Sequence, residues 1–266
     1  MDGSRSDRQA GIVTGGSRGI GKAVAYALAS EGCDVVIASR SPEPLDEAAR
    51  EIAAASGRRV VPIVVDTGDE RSVQAMVERA RAELGGIDIL VNSAAKPAGQ
   101  SAPPKFADVT AELFWEDVNV KVLGYLRCAQ AVVAMMVEQG WGRIINISGL
   151  AARSSGSVIG SIRNVAVAAM TKNLADELGP HGVNVVVVHP GLTRTEATPG
   201  VVSKLASTRG ITEEAAEQAL VRNTIRRMVE ASEVADVVTF LASPRSAPIT
   251  GDAIACGGGQ PGPIYY

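Results

Sequence analysis

The chain of 266 residues is 46% hydrophobic and 21% charged, which suits one soluble globular domain, and its formal net charge of −3 gives no bulk attraction for nucleic acid. Aromatic residues make up only 3%, so the core has to be built from Val, Ile, Leu and Ala. Three scattered cysteines (Cys33, Cys128, Cys256) and two histidines (His181, His189) offer no metal-ligand spacing, which predicts reduced thiols, no metal site and a cytoplasmic location.

The first predicted strand, 11–14, runs into Thr14-Gly15-Gly16-Ser17-Arg18-Gly19-Ile20-Gly21, and a helical pattern continues over 20–30. A glycine-rich turn between strand and helix suits a dinucleotide. Gly15 permits the tight turn, Gly19 lets the backbone approach a pyrophosphate, and Gly21 allows close helix–sheet packing; Ser17, Arg18 and Ile20 complete the loop, whose free N–H groups face the phosphates. The second strand, 34–38, ends in Ser39-Arg40. An NAD site usually has a carboxylate there for the ribose 2′-OH. Here Arg18 and Arg40 suit the 2′-phosphate of NADP(H) instead, with NAD(H) the poorer ligand. After a helix at 45–55, strand 60–65 closes on Asp66 and Thr67, where a carboxylate accepts a bond from an adenine amino group. A helix at 70–84 leads to strand 87–91, which closes on Asn92-Ser93-Ala94-Ala95, small enough for the backbone to lie near the second ribose.

Residues 96–105 hold three prolines and read as a loop. The helix at 111–138 contains an apolar stretch, 129–137, too short to cross a membrane, and the N-terminal residues are polar, so no membrane partner is expected. Strand 143–147, helix 165–178 and strand 183–189 come next. The segment 193–232, rich in Thr, Ser and charge, then interrupts the alternation and is read as a lid over the ligand crevice. Helices at 213–221 and 232–241, a strand at 253–255 and a tail at 257–266 complete the chain. The strands are continuous apolar runs, as in a parallel sheet buried on both faces. Repeated β-α alternation then implies right-handed crossovers and a single doubly wound α/β Rossmann domain over 1–266.

Together these motifs resemble the short-chain dehydrogenase/reductase family over nearly the whole chain. The run from Thr14 to Gly21 resembles its TGxxxGIG, Asp66 its adenine-contacting Asp, and Asn92-Ser93-Ala94-Ala95 its NNAG, with departures at the second and fourth letters. Asn119 resembles the helix asparagine that supports a proton relay. Pro190-Gly191-Leu192-Thr193 resembles the stretch at the nicotinamide end, and Ile249-Thr250-Gly251 with Gly257-Gly258 the closing segment. The resemblance implies seven parallel strands in the order 3-2-1-4-5-6-7. It also implies an NADP(H)-dependent oxidoreductase acting on a small carbonyl or alcohol. A homotetramer or homodimer is implied too, with helices 111–138 and 165–178 pairing through apolar residues such as Val165, Val167, Ala168 and Met170.

The family's Ser, Tyr and Lys are not all in place. Gly160 stands where Tyr belongs and Asn164 where Lys belongs; the serine slot falls on Gly149, with Ser148 just before it. No tyrosine lies between Tyr125 and Tyr265. Available substitutes are Ser148, Ser161, Arg163, Lys96 and Lys121, the last expected to point away from the face of Asn119. The expected catalytic set is Asn119, Ser148, Ser161 and Asn164, with Asn164 also bonding a ribose hydroxyl. Two readings stay open. One is an oxidoreductase with a substitute proton donor, since losing a general acid costs roughly 10²–10⁴-fold, not the whole reaction. The other is an NADP(H)-binding member without carbonyl chemistry, a regulatory or assembly subunit. The tail, ending Ile264-Tyr265-Tyr266, is expected to dock at a subunit interface or to bring a phenol to a neighbouring crevice.

Overall fold

In the computed structural model, which describes residues 9–95 and 103–262, neighbouring residues of each central strand are buried toward opposite faces of one sheet. The strands are β1 (Ala10–Thr14), β2 (Asp34–Ser39), β3 (Val60–Val64), β4 (Ile89–Asn92), β5 (Gly142–Ile147), β6 (Val183–Pro190), two short strands β7 (Thr193–Arg194) and β8 (Val229–Glu230), and β9 (Ala253–Cys256). Seven of them form a parallel sheet in the order β3-β2-β1-β4-β5-β6-β9, while β7 pairs only with β8. The order reverses between β1 and β4, so their carboxyl ends open the crevice in which such folds bind ligands.

The helices are α1 (Gly19–Ser30), α2 (Pro42–Ser56), α3 (Glu70–Leu84), α4 (Ala111–Val118), α5 (Gly124–Glu138), α6 (Val158–Leu178), α7 (Thr198–Arg209), α8 (Glu213–Leu220) and α9 (Ala231–Ala242). Val13, Val35 and Ile37 pack with Val24, Leu28 and Ile52 of α1 and α2 and with Val234 and Val238 of α9. Ile12, Val36 and Leu90 face the other way, onto Met76 of α3, Val132 and Met136 of α5, and Leu178 of α6. Each large aliphatic side chain so buried contributes about 1.5–3 kcal/mol. A buried polar relay ties the second layer to the sheet: Asn92 donates to Asn146 (3.0 Å), Asn146 to Thr171 (2.9 Å), and Thr171 to the Val167 carbonyl (2.8 Å).

Three departures from the sequence pattern bear on the site. The helix expected from 165 starts at Val158, because Ser157 caps it: the Gly160 N–H donates to Ser157 Oγ at 3.0 Å. Within 193–232, α7 has no counterpart in the sequence pattern; with α8 it closes a small core of Val202, Ala206, Ala216 and Met228. The helix predicted over 111–138 is interrupted by a π-turn, Asn119–Leu123. Its extra residue per turn rotates the downstream side chains off the face a continuous α-helix would present. The Ala111–Glu138 stretch is long and apolar enough to cross a membrane by length and composition; here it packs against the sheet through Tyr125, Cys128, Val132 and Met136. Val167, expected at an interface, is fully buried with Tyr125 and Val187, whereas Val165 is half exposed.

Candidate active site

A cavity of about 950 Å³ runs along the carboxyl ends of the strands. Its floor is the glycine loop. Gly15 has φ +71°, and an added Cβ would lie 2.9 Å from the Ser93 carbonyl, so this turn requires glycine. Gly21 is just as constrained: a Cβ there would lie 2.2 Å from the Gly15 oxygen, so the helix can start this close to the loop only without a side chain. Thr14 Oγ1 accepts from the backbone N–H groups of Ser93 and Ala94, at 3.1 and 3.2 Å, and so locks β1 to the end of β4.

Gly15, Ser17, Arg18, Gly19, Ile20 and Gly21 all line the cavity, as do Ser39, Arg40, Thr67 and Ala94. Arg18 and Arg40 are exposed side chains that make no ion pair among the described residues. With Ser39 and Ser41 they form a cationic, hydroxyl-bearing rim with no carboxylate at the end of β2, a donor set that fits a phosphate better than a bare ribose. The opposite wall is Pro190, Gly191 and Thr193, continued by Glu196, Arg222, Asn223 and Arg227 from the segment read as a lid. Glu196 accepts a 2.9 Å hydrogen bond from the Gly19 N–H. The start of the tail closes the same wall, where Asn223 donates to the Gly257 carbonyl (3.0 Å).

The inner end holds Ser148, Gly149, Asn164 and Lys121. The Ser148 hydroxyl donates to the Asn164 carbonyl at 3.1 Å, and the Lys121 ammonium donates to the Ser148 carbonyl at 2.9 Å. Asn164 is 3% exposed, and its Oδ1 has no hydrogen-bond partner among the described residues. Beside them His189 is buried; its Nδ1 accepts from the Gly149 N–H. Desolvation, helped by repulsion from Arg153 and Lys121, lowers its pKa to about 4, so the imidazole is neutral at pH 7. Desolvation also pulls Lys121 down to about 7, with Arg163 repelling its charge and Asp117 partly restoring it.

Four residues of the expected catalytic and cofactor sets do not line the cavity. Asn119 turns its amide outward, donating to the Gly68 carbonyl (3.3 Å) and accepting from Arg127 (2.9 Å). Val120 and Lys121 of that turn line the cavity instead, so the lysine faces inward while Asn119 does not, the reverse of the expected arrangement. Ser161 donates to the Ser154 carbonyl (3.0 Å) and stays on the outer side of its helix start. Asn92 is fully buried in the relay to Asn146, one residue short of the wall. Asp66 is exposed at the rim, where it accepts from the Gly68 N–H (2.9 Å). Arg163 pairs with Asp117 and does not line the cavity. Lys96 and the tyrosines of the tail lie outside the described residues. Glu196, Arg222 and Arg227 gave no signal in the sequence, because nothing local distinguishes a charge of this segment that turns inward.

A second cavity, about 900 Å³, lies behind α1 between Tyr26, Glu51, Arg194 and Asp236 and adjoins the first at Gly19, Thr195 and Glu196. Its charges are exposed or paired side chains, so it offers no site for chemistry.

A family model described as enoyl-(acyl carrier protein) reductase matches residues 15–260. The chain is 35% identical over 259 residues to the short-chain reductase protein NovJ of Streptomyces niveus, covering 96% of this chain and 95% of the relative. It is 33% identical over 255 residues to dehydrogenase/reductase SDR family member 4 of Oryctolagus cuniculus, covering 94% and 92%. Among solved structures it is similar to L-sorbose reductase of Gluconobacter frateurii, complexed with NADPH and L-sorbose. The TM-score is 0.89 at 28% identity, over 96% of this chain and 97% of that one.

Proposed function

The chain belongs to the short-chain dehydrogenase/reductase family, and from that premise we propose that it is an NADP(H)-dependent oxidoreductase acting on a small carbonyl or alcohol through an atypical catalytic site. The observation that carries this reading is Arg18 and Arg40, without an ion pair among the described residues, at one end of a cavity that passes the glycine loop and ends at Ser148, Asn164 and Lys121. The similar L-sorbose reductase structure, solved with NADPH, supports the same cofactor. Arg18, Ser39 and Arg40 would hold the 2′-phosphate; the Gly19 and Ile20 N–H groups at the start of α1 would face the pyrophosphate. Pro190, Gly191 and Thr193 would flank the nicotinamide end.

Bound there, the cofactor supplies or accepts the hydride. The chain's own residues have to orient the substrate oxygen and move its proton. The site is atypical because Gly160 and Asn164 stand where the family resemblance implies Tyr and Lys, and no tyrosine lines the cavity among the described residues. The Asn164 amide oxygen, without a hydrogen-bond partner among the described residues, is suited to accept from a ribose hydroxyl. Ser148 offers a hydroxyl at the same end. The absence of a tyrosine also favours a second reading, an NADP(H)-binding member without carbonyl chemistry.

We further propose a homotetramer or homodimer in the cytoplasm. Leu113 and Trp115 of α4 and Val158, Ile162 and Val165 of α6 are all more than 40% exposed, an apolar surface suited to pairing across a two-fold axis. NADPH oxidation against a carbonyl panel, run beside direct cofactor titration, tests the enzyme reading. Binding with turnover supports it, and binding without turnover supports the second.

A further inference from the structure

We propose that Lys121 is the catalytic acid–base of this cavity: its ammonium protonates the substrate oxygen during carbonyl reduction, and its amine takes the proton back during alcohol oxidation. The inference rests on reading the cavity as a nicotinamide site, and adds the group that moves the proton.

Position comes first. The π-turn Asn119–Leu123 directs Asn119 outward to Gly68 and Arg127, and brings Lys121 into the wall of the cavity that Asn164 and Gly149 also line. The lysine is 4% exposed, so the cavity is its route to solvent. Its one hydrogen bond among the described residues goes to a neutral acceptor, the Ser148 carbonyl at 2.9 Å. An ammonium has three donors, so two N–H groups are left for a substrate.

The surrounding charges make it a competent acid near neutrality. Asp117, one turn earlier, is held by Arg163 of α6 and gives Lys121 only partial relief. Arg163 repels it, and His189 on β6 is neutral. Burial with no carboxylate of its own brings the ammonium down to about 7. The neighbouring alternatives are already engaged. Tyr125 is fully buried, donates to the Ile147 carbonyl at 2.9 Å, and has its pKa pushed up by burial. The His189 Nδ1 is taken by Gly149, and Arg163 by Asp117.

In reduction a bound reduced nicotinamide would supply the hydrogen and electron pair that the carbonyl carbon gains. The C=O π pair moves to oxygen, and oxygen takes H⁺ from Lys121 Nζ. The products are the alcohol, the oxidised nicotinamide and a neutral amine, which regains its proton from solvent. The competing explanation is structural: Lys121 merely satisfies the carbonyl at the end of β5. Gln at this position keeps an N–H donor but has no transferable proton, so it separates the two.

The test uses the full chain, NADPH, and diacetyl and ethyl acetoacetate as carbonyl probes, with Lys121→Gln and Lys121→Met. Both variants should bind NADPH within a few-fold of the parent and lose roughly 10²–10⁴-fold in kcat. The parent rate should fall as pH rises through about 7, and the variants should lose that dependence. Lysine ¹³Cε NMR with NADP⁺ bound gives a readout independent of turnover. The resonance absent from Lys121→Met should titrate near neutrality. A Lys121→Gln enzyme with the parent's kcat and pH profile overturns the proposal, as does a Lys121 resonance still charged above pH 10. Failure of the parent to bind NADPH would instead overturn the cofactor reading, a result visible before any variant is made.

Discussion

The carboxylate of Glu196 sits on the backbone N–H of Gly19, 2.9 Å away, so a residue of the 193–232 segment occupies the start of α1 where the proposed site would take a pyrophosphate. The N-terminus of a helix carries partial positive charge and free N–H donors. A carboxylate there competes with a pyrophosphate for the same group. Replacing Glu196 with Ala should therefore tighten NADPH binding by about 0.5–1.5 kcal/mol, a few-fold to roughly ten-fold in Kd. Fluorescence titration checks this. An unchanged or weaker Kd would mean that Glu196 leaves Gly19 at no cost, or that it helps the lid to close.

The proposed role of the cavity rim in cofactor choice can be tested at Arg40. Arg40→Asp removes a guanidinium free to pair with a 2′-phosphate and supplies an acceptor for a ribose 2′-OH. NADPH binding should weaken by about 1.5–3 kcal/mol and the preference should move toward NADH. Parallel loss for both dinucleotides would show that Arg40 supports the loop without reading the phosphate.

Lys121 should cost stability. Its pKa falls from 10.5 to about 7 on folding, so between those values the unfolded chain binds more protons and stability rises with pH. Below about 7 the penalty is fully present. At pH 6 Lys121→Met should thus raise stability, on the order of 1–4 kcal/mol, while abolishing the proposed proton transfer. Scanning calorimetry at pH 6 decides this, and a lower Tm in the variant would mean that the bond to the Ser148 carbonyl outweighs the desolvation of the charge.

His189 acts in the acid range. Its pKa falls from 6.5 to about 4, so the unfolded chain takes up its proton first as pH drops. Stability contributed by the neutral imidazole is complete above about 6.5 and is lost as pH falls toward 4. The loss should be about 1–3 kcal/mol between pH 7 and 4. It should be smaller in His189→Gln, as read from urea midpoints at both pH values.

Most of the fold was legible because its strands are buried on both faces, which leaves continuous runs such as Val35-Val36-Ile37 in the sequence. The glycine loop was legible for a similar reason: Gly15 and Gly21 tolerate no side chain. The catalytic end was harder to read. A π-turn has no local sequence mark, yet it decides that Lys121 and not Asn119 faces the cavity. Alternation at a strand end had a comparable effect, sending Asn92 into the sheet while Ser93 and Ala94 reach the wall. The helical pattern was read only from 165, whereas α6 starts at Val158, because the cap that starts it is a side-chain contact.

The central claim, an NADP(H) site, is tested most directly by equilibrium titration of the full chain with NADPH and NADH under identical salt. The account predicts saturable binding of both, with NADPH at least ten-fold tighter, about 1.4 kcal/mol or more. Equal affinities, or no binding of NADPH, would contradict it.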